Sequence, residues 1–124
     1  MSYSPGPDLD LSFLYEIADG SDEFIVDSIA LFLTHTPELL NNIDEAIVKH
    51  DWESTASAAH KLKSNLGFFG MPLSQALILE IEIMGKSGAP DPQALESKFN
   101  EVKRLVSINL SALANIKAEK EAGL

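Results

Sequence analysis

The chain has 124 residues and no cysteine, enough length for one domain around one core and no means of building disulfides, a thiol nucleophile or a zinc–thiolate site. Nine Lys plus Arg against nineteen Asp plus Glu give a net charge of −10, with no Lys or Arg before Lys49, a balance that repels nucleic acid and anionic membrane surfaces. Hydrophobic residues at 45% with a mean hydropathy of +0.03 exclude global disorder and a membrane-embedded chain, and the opening MSYSPGPD has neither the charged nor the apolar region of a signal peptide, so a cytoplasmic location is expected.

Residues 1–8, built around Pro5-Gly6-Pro7, read as a flexible lead-in to a single domain spanning residues 1–124. From Asp8 or Asp10 onward, Leu11, Phe13, Leu14 and Ile17 fall at helical spacing, and Asp19-Gly20 closes this short packing helix. Ser21-Asp22-Glu23 starts a second helix, with Ile25, Ile29, Phe32, Leu33, Leu40, Ile43 and Ile47 on one stripe. The stripe keeps its phase across Pro37, which favours one long helix kinked there over two helices with Thr36 as the second cap. Asp51 caps a third helix whose inward face is Trp52, Ala56, Ala59, Leu62, Leu66 and Phe69. Gly70-Met71-Pro72 stops it and starts a fourth, carrying Leu73, Ala76, Leu77, Ile78, Leu79, Ile81, Ile83 and Met84, apolar on nearly every side and so predicted to be largely buried. After a loop from Gly85 to Pro90, Asp91-Pro92 opens a last helix striped by Leu95, Phe99, Val102, Leu105, Val106, Leu110 and Leu113, with residues 118–124 predicted to fray. No period-two alternation persists, so the fold class is all-α: an antiparallel four-helix bundle with a short additional N-terminal helix across one end.

The familiar chemical signatures are absent: no phosphate-cradling GxxxxGK[ST], no dinucleotide GxGxxG, no HExxH and no ExxH pair of a di-iron bundle. No cofactor and no metal site are therefore expected. Of three histidines, His35 near Pro37 and His50 before Asp51 read as solvated structural residues. His60 differs. The inward stripe of the third helix turns residue 60 to the side or outward, and its helical neighbours Ala56, Ser57, Ser64 and Gly67 are small, so another protein's reactive group can reach the ring. An interior glycine costs about 1 kcal/mol relative to alanine, so Gly67 points to a requirement other than helix stability. Lys61 and Lys63 are the only Lys or Arg residues between 50 and 85, and they would stabilise charge on a phosphoryl group arriving at the ring. The plain alternative is a solvated face with a histidine among lysines.

The run Ala59-His60-Lys61-Leu62-Lys63-Ser64-Asn65-Leu66-Gly67-Phe68-Phe69-Gly70 resembles the signature of histidine-containing phosphotransfer (HPt) domains, approximately A-H-x-L-K-G-S-S with a glycine ten residues after the histidine; His60, Leu62, Lys63 and Gly70 match. Ala46, Lys49 and Asp51-Trp52 resemble the family's approach to this helix, and Glu80, Glu82 and Gly85-Lys86 its following one, so the resemblance covers about residues 22–86. It implies a bundle in which His60 accepts a phosphoryl group from a response-regulator receiver aspartate and passes it to another receiver. It implies further that Lys63, with Lys61, stands beside the phosphate, that Glu82 orients the imidazole through its other nitrogen, and that Ala56, Ser57, Ser64 and Gly67 form the docking surface. Ser64 departs from the pattern, which usually has glycine there. The expected protein is a monomeric phosphocarrier rather than an enzyme, partnered by receiver domains and a hybrid histidine kinase, with the divalent metal supplied by the receiver. Two alternatives stand beside it: an HPt-like module that binds receivers without phosphotransfer, and an HPt domain excised from a hybrid kinase.

Overall fold

Helix punctuation in the sequence resolves into five helices in the computed structural model, which describes residues 8–88 and 90–124: α1 (Ser12–Ala18), α2 (Asp22–Val48), α3 (Trp52–Phe68), α4 (Pro72–Lys86) and α5 (Pro92–Ala122). Residues 1–7 of the expected lead-in lie outside the described residues.

Ser21 caps α2, its hydroxyl accepting from the Phe24 N–H at 3.1 Å, while Asp22 and Glu23 complement the positive end of the helix dipole. The helix then runs through Pro37 without interruption for 27 residues. Proline has no N–H to give the Leu33 carbonyl, and Thr36 is no cap but a helix-interior residue, fully buried, with its hydroxyl unpartnered.

The two turns flanking α3 use one device. The N–H of His50 donates to the Ile47 carbonyl (3.0 Å) and that of Asp51 to the Ala46 carbonyl (2.9 Å); at the other end Gly70 donates to Gly67 (3.1 Å) and Met71 to Leu66 (3.0 Å). This closure needs a left-handed residue, usually glycine. Gly70 has φ +66°, but the first turn uses His50 at φ +55°, whose imidazole stacks on Trp52 with 4.9 Å between ring centroids. Asp51 then caps α3 by accepting from the Ser54 N–H (3.1 Å) and hydroxyl (2.8 Å).

Asp8 corrects the flexible lead-in at its last residue, because it is 2% exposed. Helix α4 opens on Met71-Pro72 with no capping side chain of its own, and Asp8 supplies the missing acceptor. Its carboxylate accepts from the N–H groups of Leu73 (2.6 Å) and Ser74 (3.3 Å) and from the Ser74 hydroxyl, while the Asn109 amide donates to the Asp8 carbonyl (2.9 Å). Two residues on, the Asp10 N–H donates to the Gly70 carbonyl at 2.8 Å.

Around the ring, α2 packs on α3 and α5, and α4 packs on α3 and α5. Connections of three to five residues make sequential neighbours antiparallel. Helix α1 lies across the end where α3 turns into α4, with Phe13 edge-on to Phe68. Leu14, Ile29, Ile43, Leu62, Leu66, Ile78 and Phe99 are among the fully buried side chains of the core. Two expectations change. Helix α4 is not largely buried: packed mainly against α3 and α5, it leaves Leu73, Leu79 and Ile83 in solvent. The tail does not fray at residue 118, because Ile116 is buried, Lys117 pairs with Glu121 (3.0 Å) and Lys120 reaches Asp22 of α2 (3.2 Å), carrying the helix to Ala122.

Candidate functional site

Ala59 and Leu62 are fully buried, and this phase turns His60 outward on α3, leaving its side chain 62% exposed. The spacing between α3 and α4 is set by Gly85: a Cβ there would lie 2.9 Å from the Trp52 carbonyl oxygen and 3.1 Å from the Ala56 Cβ. With the helices that close, Glu82, one turn before Gly85, reaches the imidazole. His60 Nδ1 is 2.9 Å from Glu82 Oε2, Lys63 Nζ is 2.8 Å from Oε1, and Lys86 Nζ is 3.0 Å from Oε2. Glu82 itself is 3% exposed.

The Lys63 hydrogen bond, aided by Lys86 and His60 and opposed by burial, lowers the Glu82 pKa to about 2. At neutral pH the carboxylate can only accept. The His60 Nδ1 must therefore carry the hydrogen and donate, the tautomer that leaves Nε2 with a lone pair on an imidazole 62% exposed.

The residues expected around His60 divide. Ser57 and Ser64 are exposed beside it. Ala56 is buried at 5% and pressed against Gly85, in keeping with the inward stripe, and it also lines the floor of the groove that His60 borders. Gly67 is half-buried beneath the Gln75 side chain, whose Nε2 would lie 2.5 Å from an added Cβ and donates to the Lys63 carbonyl at 3.4 Å. Its smallness accommodates Gln75 rather than opening a path to His60. Lys61 is exposed and is not one of the groups bonded to Glu82; it lines a groove of about 850 Å³ together with His60, Trp52, Ser57 and Lys86. His50 borders the same groove, whereas His35 lies on α2 beside Leu31 and Phe68. Lys86 joins the site without belonging to the motif around His60, and its spacing of four from Glu82 is that of a helical ion pair. Among the described residues no cluster of His, Asp and Glu could hold a metal ion, and no helix is long and apolar enough to cross a membrane.

A stability test isolates the Glu82 charge. Because its folded pKa lies below the ordinary 4.5, its contribution is complete above about pH 5, declines as the pH falls toward 2, and is absent below. Glu82→Gln mimics the protonated state at every pH. Urea unfolding should show the variant less stable by roughly 2–3 kcal/mol at pH 7, with the two proteins converging as the pH approaches 2. Parallel pH curves would show that the charge does not hold this cluster together.

Comparison with known proteins agrees with the architecture. The sequence model of the Hpt domain family matches residues 27–116. The signal transduction histidine-protein kinase BarA of Escherichia coli strain K12 and that of Escherichia coli O157:H7 are each 28% identical to it over 97 residues, or 75% of this chain. The chain spans only 11% of the length of these curated relatives. With its family match covering most of the helical bundle and the His60 helix within it, the chain belongs to the Hpt domain family.

Proposed function

We propose that this domain is a phosphocarrier of a multistep His–Asp phosphorelay, phosphorylated on His60 in the cytoplasm. The observation that carries the reading is the exposed imidazole whose Nδ1–H is held by a buried, ionised Glu82 with two lysines on the same carboxylate. Nε2 attacks the phosphorus of a receiver's aspartyl phosphate. The N–P bond forms as the P–O bond to the aspartate breaks, the aspartate leaves as a carboxylate, and the ring becomes cationic with its Nδ1 hydrogen retained and still donated to the Glu82 carboxylate. Transfer to a second receiver reverses these bonds. Lys63 offsets charge on the phosphoryl oxygens, with the exposed Lys61 in a lesser, longer-range role, and the receiver brings the divalent metal.

The docking face runs from Ser57 through His60 and Ser64 toward exposed Leu31 and Phe13. Leu31, Asn65 and Phe68 line one groove of about 330 Å³, and Phe13 rests on Phe68. Apolar side chains beside a reactive group suit a protein partner, and the overall charge of −10 disfavours nucleic acid. BarA being a histidine-protein kinase supports a second setting for the same chemistry, in which the domain serves within a hybrid kinase.

The test is to mix the protein with a phosphorylated receiver domain and magnesium and to measure its intact mass. Gain of one acid-labile phosphoryl group supports the phosphocarrier. Binding to a receiver without transfer, across several receivers, would replace it with the receiver-binding module that carries no phosphate.

A further inference from the structure

Oxygen Oε2 of Glu82 has two donors, the His60 Nδ1–H at 2.9 Å and the Lys86 ammonium at 3.0 Å, whereas Oε1 belongs to Lys63. The two lysines are not equivalent. Lys63 is 25% exposed and held between the helices, while Lys86 is 67% exposed at the end of α4, on the groove that His60 also borders. With a neutral imidazole, Lys63, Lys86 and Glu82 leave the cluster with one surplus positive charge. A dianionic phosphoryl group on a cationic ring brings the same cluster to neutrality, so the empty site carries a cation in excess of what Glu82 needs. Sharing one oxygen places the Lys86 ammonium within two hydrogen-bond lengths of the ring, and a flexible four-carbon stem gives it reach.

We propose that Lys86 is the mobile phosphate-binding cation of this site: it rests on Glu82 Oε2 when the histidine is free and turns to the phosphoryl oxygens when His60 is loaded, leaving that oxygen to the Nδ1–H alone. Lys63 stays on Oε1 in both states. The inference rests on the phosphocarrier reading and adds to it a residue that sets how far the transfer equilibrium lies toward the carrier. A merely structural role for Lys86 is a solvent-exposed pair four residues from Glu82, of small effect on stability and none on phosphoryl distribution.

The experiment equilibrates wild type, Lys86→Gln and Lys86→Arg with one phosphorylated receiver and magnesium, and reads the fraction of each protein phosphorylated. Lys98→Gln is the control, because it removes an equal charge from an exposed pair with Glu80 on the α4–α5 side. Lys86→Gln should shift the distribution toward the receiver by roughly two- to fivefold, the range of a solvent-exposed ion pair. Lys86→Arg should restore it, and Lys98→Gln should match wild type. A second readout uses wild type alone: the side-chain amine resonance of Lys86 should move on phosphorylation while that of Lys98 does not. Lys86→Gln with the wild-type distribution, or an unmoved Lys86 resonance, overturns the proposal while leaving the phosphocarrier intact. Failure of wild type itself to accept phosphate would instead sink the functional reading beneath it.

Discussion

His60→Gln is expected to abolish phosphoryl acceptance while the fold persists. The side chain is 62% exposed on the outer face of α3 and supports no part of the core, so stability should stay within about 0.5 kcal/mol of wild type, as for a surface change. A glutamine amide can still donate to Glu82, but it has no nucleophilic lone pair to bond phosphorus. Intact mass after incubation with a phosphorylated receiver should show no adduct on the variant and one on wild type, and nuclear magnetic resonance of the wild-type adduct should place phosphorus on Nε2. His35 and His50 remain in the variant. An acid-labile adduct on it would move the reacting residue to one of them, and an Nδ1 adduct on wild type would contradict the role given to Glu82.

The largest effect on stability is expected at Gly70. Its φ of +66° already disfavours any side chain, by roughly 1–2 kcal/mol. More severely, an added Cβ would sit far inside contact distance of the Asp10 backbone carbonyl, which is fixed there by the Asp10 N–H bond to the Gly70 carbonyl. Gly70→Ala should therefore lose about 2–5 kcal/mol in all, combining left-handed strain with overpacking. For a domain of this size the unfolding midpoint should fall by about 10 °C or more. Gly20 and Gly88 provide the comparison, since both have positive φ but nothing within 4 Å of a built Cβ. Alanine at either should lose only the conformational part. Equal losses at all three positions in thermal unfolding would show that the approach of Asp10 is unimportant.

Local chemistry made much of this architecture legible. Ser21, Asp51 and Asp91 cap through bonds to residues two or three positions away, and the turn at Gly70 closes on residues three to five positions apart, so their types announce helix ends without knowledge of the tertiary fold. The same locality made the outward phase of His60 readable from its own helix. What escaped depends on helix-to-helix distance. Ala56 satisfied two patterns at once, and the approach of Gly85, which presses it inward, could not be read from its own helix. Gly67 looked like clearance for a partner because Gln75, on the next helix, was not visible as its neighbour. The exposed flank of α4 was hidden for a related reason: its apolar residues surround the helix, but the helices packed most closely on it, α3 and α5, leave one flank to solvent. Asp8 shows no local signal at all, since the donors it satisfies lie 65 and more residues away.

That last separation bears on how the molecule assembles. The hairpins α2–α3 and α3–α4 join neighbours in sequence and close short loops, the kind of contact that forms early. The Asp8 cap joins the first described residue to the start of α4 and, through Asn109, to the middle of α5, across 65 and 101 residues. Closing loops of that length costs more chain entropy than closing the hairpins, so this junction is expected to seal after them in folding. Amide exchange at Leu73 and Ser74, whose N–H groups Asp8 holds, should therefore report opening of that junction separately from unfolding of the four helices.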